Sequence, residues 1–440
     1  MHVLYCTLAS AILPCTKADY RQFCPEWIER LIPITRVSLF FLLIFLLLFS
    51  IPSFSQADRT IRVQVWSEDS PDFVTIYGQF AILRVVDAVQ DSALIALKPG
   101  TPIYIQAHYP QLTLRIYDHL YQLSQVKLEP VSPFGLVDLN QPGRRSIYRG
   151  TLVIVPAGEN RLAIYNDLSL EEYLKGVLPT EILPGWPIEA LKAQAIVSRT
   201  YAIKNRHRHA ETYADFCDNS HCQVYNGYEA ETFRTSWAVD ATRGQFITYQ
   251  GEPAEVFFHS TCGGITARAD EIWMEEYFPY LVNVYDSIDG GIDACAESPH
   301  YQWTYVTSRQ ALHTALQDDA RTDPGRYLTY ISIREINQSG RVASVDIVGE
   351  QRHTVNGWIL RQVLSRVWGW ESIKSSRFHL VRDGDQITFT GKGLGHGVGL
   401  CQYGAKKRAE AGYTASAILQ VYFPYTKLAT VSSAASHSYD

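Results

Sequence analysis

The sequence predicts an α+β protein, with a small β-rich region ahead of a mixed region that carries the helices. Three observations lead there. Between residues 60 and 140, short runs alternate apolar and polar side chains, with turn residues between them. At residue 169 a capping box, Ser169-Leu-Glu-Glu172, opens a helical pattern. After residue 245 strand-like runs return around one helix at Gly357 to Val367. The 440 residues are 46% hydrophobic and 19% charged, which is enough to bury a large core and unlike disordered or collagen-like chains. A formal net charge of −6 lacks the basic footprint of a nucleic-acid binder, so no nucleic-acid partner is expected.

Residues 1–57 read as a leader. Val37 to Ala57 holds no Asp, Glu, Lys or Arg, and Leu39 to Phe49 is unbroken Leu, Phe and Ile. That run is too short to span a bilayer core of ~30 Å. It suits the apolar part of a secretory signal, with Arg36 ahead and Ser55-Gln56-Ala57 as a small-x-small cleavage site. The other reading is an uncleaved N-terminal membrane anchor. Both imply an exported protein, in the periplasm or cell wall. In such a compartment some of Cys217, Cys222, Cys262, Cys295 and Cys401 are expected to pair.

Residues 58–140 are assigned to the β-rich domain. Arg62 to Trp66 and Leu112 to Ile116 alternate, and Thr101 to Ile105 carries Pro102, which suits a strand start or edge. The loop-like stretch Pro130 to Arg145 marks the expected boundary. Strands at Thr151 to Val155 and Leu162 to Tyr165 follow. The helix after the capping box is expected to stop at Gly176. A second helix follows Pro187 and runs from Ile188 to Asn205, its face of Leu191, Ala195, Ser198 and Ala202 small enough for close packing. Helices at Ala405 to Ala411 and Ala415 to Tyr422 close the mixed domain, 145–427. Residues 428–440 are read as a disordered tail.

The glycine run Gly391 to Gly399 is not a dinucleotide fingerprint. Counted from Gly391, Gly393 or Gly395, the sixth position is His396, Val398 or Leu400. It reads as a tight loop presenting His396, with Gln402 and Tyr403 close behind. Glu181 lies between Pro179 and Pro184 among apolar residues. Such surroundings raise a carboxyl pKa toward the range a general acid needs. Cys217, His221 and Cys222 offer zinc ligands, which His209, His259 or Cys262 could complete to four. The competing reading is a Cys217–Cys222 disulfide, with a second bond between Cys262 and Cys295.

Several of these segments together resemble the SpoIID/LytB family. They are Glu181 with Trp186-Pro-Ile-Glu-Ala190-Leu-Lys-Ala-Gln-Ala195 and Arg199-Thr-Tyr-Ala202, then Gln223 to Gly227, Ala238 to Gly244, His259 to Gly264, Tyr280-Leu281 and Gly395 to Ala405. The resemblance covers roughly 145–427 and implies work on peptidoglycan. Members resembling stage II sporulation protein D are lytic transglycosylases that cut glycan strands lacking stem peptides. Members called amidase enhancers stimulate a separate cell-wall amidase instead. By motif position the catalytic Glu is Glu181, supported by Arg199. Some members hold zinc through a Cys/His cluster near Cys217, His221 and Cys222, and others lack it; the activity itself requires no cofactor. Thr180 and Ile182 stand where the resemblance expects Ser and Met, and Cys401 stands where it expects Ser or Met.

A lytic transglycosylase needs one carboxyl group, because the sugar's own C6 hydroxyl replaces the water that a second carboxylate would activate. For one site to form, Glu181, Arg199, His259 and His396 must converge on one cleft. Arg199 would hold the glycan or steady developing charge, the glycine loop would let backbone amides approach the sugar, and Gln223 and Tyr225 would line the groove with Gln402 and Tyr403.

Overall fold

The computed structural model describes residues 60–431 apart from 207, 210, 211, 274, 275, 289 and 290. The leader and residues 432–440 of the expected tail lie outside the described residues. Among the described residues no helix is long and apolar enough to cross a membrane.

The alternating runs form two facing sheets. A six-stranded sheet has the order 144–148, 136–141, 73–79, 102–108, 111–116 and 119–123. Along Phe73–Gln79, Pro102–His108 and Gln111–Ile116 every second residue is buried, so one face of each strand meets the core. Pro102 sits at a strand start, where its missing N–H is tolerated. A seven-stranded sheet has the order 216–217, 60–65, 161–169, 151–157, 126–130, 83–87 and 92–97. The two inner faces share one core, in which Ile76, Ile105 and Leu114 meet Val63, Leu128 and Ile154.

This sheet corrects the boundary expected near residue 140. Thr60–Val65 pairs antiparallel with Arg161–Ser169, with Val63 opposite Asn166. Its other edge takes Phe216–Cys217 in parallel. Hydrogen bonds therefore join the first strand to segments on the far side of the boundary, and the described residues fall in one unit.

Helix α1 (Leu170–Glu181) starts on the expected capping box, Ser169 and Glu172 each bonding the other's backbone N–H. It does not stop at Gly176. It continues through Pro179 to Glu181, because Gly176 serves contact and not termination. A Cβ there would lie 2.5 Å from Tyr225 Cε2. Helix α2 (Ile188–Lys204) follows, with Pro187 as its N-cap residue. Every residue from Ala193 to Ala202 is buried. Leu191, Ala195 and Ala202 face the sandwich core. Ala193, Ile196, Val197 and Tyr201 face a second core, built with Val256, Leu400, Ile418 and Leu419. The small side chains let α2 pack on α1, on α3 (Phe233–Ala241), on α6 (Gln402–Glu410) and on α7 (Ala415–Tyr422).

Residues 302–392 form a third cluster. Two three-stranded sheets and helices α4 (Arg309–Leu316) and α5 (Gly357–Trp368) close around Leu312, Ile347, Leu360 and Phe389. Leu428, Ala429 and Thr430, assigned to the disordered tail, pair with Ile247, Phe246 and Gln245 and belong to the fold.

Replacing Gly176 by Ala tests the close approach of Tyr225. Ala is the better helix former by about 1 kcal/mol, yet the clash should reverse the sign and cost about 1–3 kcal/mol. A lower urea midpoint at unchanged slope is the expected readout.

Candidate functional site

Glu181 is the last residue of α1, half-buried where the chain turns toward α2. Its Oε1 accepts one long hydrogen bond, 3.4 Å from the Val224 amide. Burial pushes the carboxyl up to about 7, and the Val224 bond offsets only part of that. No charged neighbour contributes. A helix C-terminus presents partial negative charge, which also disfavours the ionised form. The backbone is pinned on both sides. Gln402 Nε2 donates to the Glu181 carbonyl at 2.7 Å. The Thr180 hydroxyl lies 2.6 Å from Val177 O and 2.8 Å from Val224 O, contacts that the Ser expected there could also make. Ile182 is buried in the core.

The other candidates do not all gather here. Arg199 is fully buried and pairs through two bonds with Glu171, at 2.8 and 2.7 Å. It also donates to the carbonyls of Val239 and Gln245. It holds α1, α2 and α3 together, and the expected catalytic role is corrected to a structural one. Gln223 and Tyr225 are buried as well. Tyr225 donates to Asn166 Oδ1 at 2.8 Å and packs against Tyr148 and Tyr173, so neither residue lines a groove.

His259 and His396 meet each other, with ring centroids 5.5 Å apart. His259 is buried and donates from Nδ1 to Val398 O at 3.1 Å. His396 accepts from the Val398 amide at 3.0 Å and packs edge-on against Trp273. Burial pushes His259 well below the usual imidazole range and His396 down to about 3, so both are neutral. No hydrogen bond joins either to Glu181 among the described residues. The link is indirect: His259 pairs with Cys401 in a short parallel ladder, and Gln402 comes next. The glycine loop turns inward. Gly397 has φ of 89° and packs directly against the Arg341 guanidinium, so the loop's close approach is to protein, not to sugar.

A surface that the sequence reading missed borders Glu181. Arg234 on α3 donates to Pro184 O at 2.9 Å and Trp186 O at 2.7 Å, fixing the loop that follows Glu181. On the same helix Phe233 and Trp237, one turn apart, are 86% and 46% exposed, too open for a core role. Lys192 lies over the Trp237 ring at 5.1 Å, and Trp186 meets Tyr403 at 4.8 Å. The spacing of Phe233 and Trp237, four apart behind the N-cap Thr232, was the legible signal.

All five described cysteines are free thiols. Cys217 and Cys222 do lie together, and His209 completes their set. The ligand atoms of His209, Cys217, His221 and Cys222 are all within 4.8 Å of one another. His209 Nε2 is 3.1 Å from Cys222 Sγ, and His221 Nδ1 is 3.6 Å from both sulfurs. Burial, with His221 and Arg208 nearby, lowers the His209 pKa and favours the neutral, ligating imidazole. Two thiolates and two imidazoles are a donor set for structural zinc. His259 and Cys262, the other residues considered for this set, lie elsewhere. Cys222 lies two residues before Val224, whose amide bonds Glu181.

The raised pKa has a consequence for stability. The unfolded carboxyl ionises near its ordinary value of 4.5 and the folded one near 7. Stability tied to this group is therefore full below pH 4.5 and is lost as pH rises through 7. Glu181→Gln should match the wild type at low pH and exceed it above pH 7, by up to about 3 kcal/mol. Urea unfolding at several pH values measures the difference.

A family model described as stage II sporulation protein matches residues 158–249, and a domain of unknown function matches 291–399. The chain is 32% identical over 365 residues to an uncharacterised protein of Brachyspira hyodysenteriae, covering 82% of this chain and 91% of that one. It is 30% identical over 298 residues to an amidase enhancer of Bacillus subtilis, covering 58% of this chain and 40% of the enhancer. It is 30% identical over 295 residues to stage II sporulation protein D of Bacillus subtilis, covering 63% of this chain and 79% of that protein.

Proposed function

This chain belongs to the stage II sporulation protein D family, and on that premise we propose that it is an exported lytic transglycosylase acting on peptidoglycan glycan strands that lack stem peptides. The observation that carries the reading is the carboxyl of Glu181, raised to about 7 by burial with no charged partner. At neutral pH such a group holds a proton for part of the time and can both give and take one. It first protonates the glycosidic oxygen as the bond to C1 breaks. The C6 hydroxyl of the same sugar then closes on C1 and returns its proton to Glu181, leaving a 1,6-anhydro end. The internal nucleophile supplies the proximity that water would lack. Phe233 and Trp237 offer faces on which sugar rings stack, beside the loop that Arg234 holds. The His209, Cys217, His221 and Cys222 set would hold a structural zinc that positions the Val224 amide, with no part in the chemistry.

The second reading is a non-catalytic activator of a separate amidase, favoured by the relative named amidase enhancer. Glu181→Gln separates the two. If Glu181 is the acid and base, cleavage of denuded glycan should fall by roughly 10²-fold or more, while glycan binding persists. Mass spectrometry of wild-type products should show 1,6-anhydro ends, with activity declining above pH about 7. Absence of such ends, together with full amidase stimulation by the Gln variant, establishes the activator.

Trp237→Ala addresses the groove. It should raise KM about three- to tenfold with kcat nearly unchanged, the loss of one stacking contact. An unchanged KM places the glycan elsewhere.

A further inference from the structure

A second group of sulfur ligands lies apart from the first. Cys262, Asp286, Cys295 and Cys401 are all fully buried, and their ligand atoms lie within 4.8 Å of one another. Cys262 Sγ is 3.5 Å from Cys295 Sγ and 3.1 Å from Asp286 Oδ2. A tetrahedral zinc with bonds of ~2.3 Å to sulfur has sulfur–sulfur edges of about 3.8 Å, so these separations are close to those of a ligand shell.

The surroundings suit thiolates. The Gly264 amide donates to Cys262 Sγ and the Cys262 amide to Cys401 Sγ, each at 3.3 Å. Such donors stabilise negative sulfur. The carboxylate is held from behind: Asp286 Oδ1 accepts from Tyr422 at 2.7 Å and from Arg408, which leaves Oδ2 facing the sulfurs. Ligating carboxylates are commonly steadied in this way.

Charge decides between the alternatives. Arg408 and Arg341 are both buried beside the cluster. Arg341 donates to Cys262 O at 3.0 Å and Ile265 O at 3.1 Å, and its Nε has no partner. It forms no ion pair among the described residues. With three neutral thiols, Asp286 offsets one guanidinium, and Arg341 stays buried without an ion pair, Glu271 and Arg377 acting on it with opposite signs, which is costly. Three thiolates, one carboxylate and a divalent cation carry two negative charges together, and the two guanidiniums offset them. A Cys262–Cys295 disulfide gives no such balance.

We propose that Cys262, Asp286, Cys295 and Cys401 form a closed, structural zinc site with three sulfur ligands and one oxygen. The proposal is independent of the catalytic reading. The metal would join the strand carrying His259, the segment 286–295 and the strand that leads into α6. Cys401 directly precedes Gln402, whose amide holds the Glu181 carbonyl.

The test is zinc content and zinc-edge X-ray absorption on the full chain, purified without chelators. Cys222→Ser removes a ligand from the first cluster and leaves this one intact. That variant should retain one zinc per chain, bound by three sulfurs and one lighter atom. Cys295→Ser should lose that zinc and keep any zinc bound through two sulfurs and two nitrogens. If Cys295→Ser fails to fold, the Cys222→Ser result stands alone. If both variants fail to fold, the wild-type spectrum decides. An average above two sulfurs per zinc supports the proposal, and two or fewer overturns it. Loss of all zinc from a folded Cys222→Ser chain, or a Cys262–Cys295 disulfide in a non-reducing peptide map, also overturns it.

Discussion

The buried pair of Arg199 and Glu171 is the constraint on which the rest of the structure depends. Its two short bonds join α2 to α1 in the middle of the protein. The guanidinium then reaches the carbonyl end of α3 and the start of the strand Gln245–Tyr249. Glu171 closes the circuit by accepting the Gly244 amide. Removing one member of such a pair leaves a buried charge alone and costs about 3–5 kcal/mol. Four elements therefore share one electrostatic knot, and Glu181 sits at the far end of the helix that begins with it.

Helix α2 turns that knot into a partition. Because Ala, Ser and Thr make up half of its buried stretch, neighbours approach it from both sides, and it separates the sandwich core from the core that holds the buried sulfurs. Glu181 lies just before α2, at the seam between the two. Its two supports belong to different clusters: the Val224 amide, which holds the carboxyl, follows the first cysteine cluster, and the Gln402 side chain, which holds the backbone carbonyl, follows the second. A carboxyl placed at such a seam loses water without gaining a cation, which is the condition that raises its pKa.

Much of this was legible in the sequence. The capping box at Ser169, helices α2 and α7, and the strands of the sandwich follow from periodicity and end signals that act over a few residues. Glu181 stood out because prolines and apolar neighbours surround it locally. The failures share a cause. Gly176 and Gly397 answer to Tyr225 and Arg341, contacts that no local pattern encodes. The boundary near residue 140 looked real because its composition is loop-like, but the pairing of Thr60–Val65 with Arg161–Ser169 is non-local. Arg199 was misread because a buried arginine and a substrate-binding arginine look alike until their partners are known. The aromatic pair on α3 was readable and was passed over.

The inserted cluster 302–392 begins and ends on one hydrogen-bonded ladder, with Gln302 directly opposite Lys392. A segment whose two ends meet side by side places almost no demand on the chain that carries it, since the host sees only a gap the width of a hairpin. Such a segment can be exchanged, lengthened or lost in descent while the host keeps its path. Arg377 reaches across to the Gly263 carbonyl, and the fully buried Arg341 limits that freedom most, since it crosses from the insert to the carbonyls of Cys262 and Ile265. Any replacement insert would have to bring a cation to the same place, so in evolution this arginine should outlast the sequence around it.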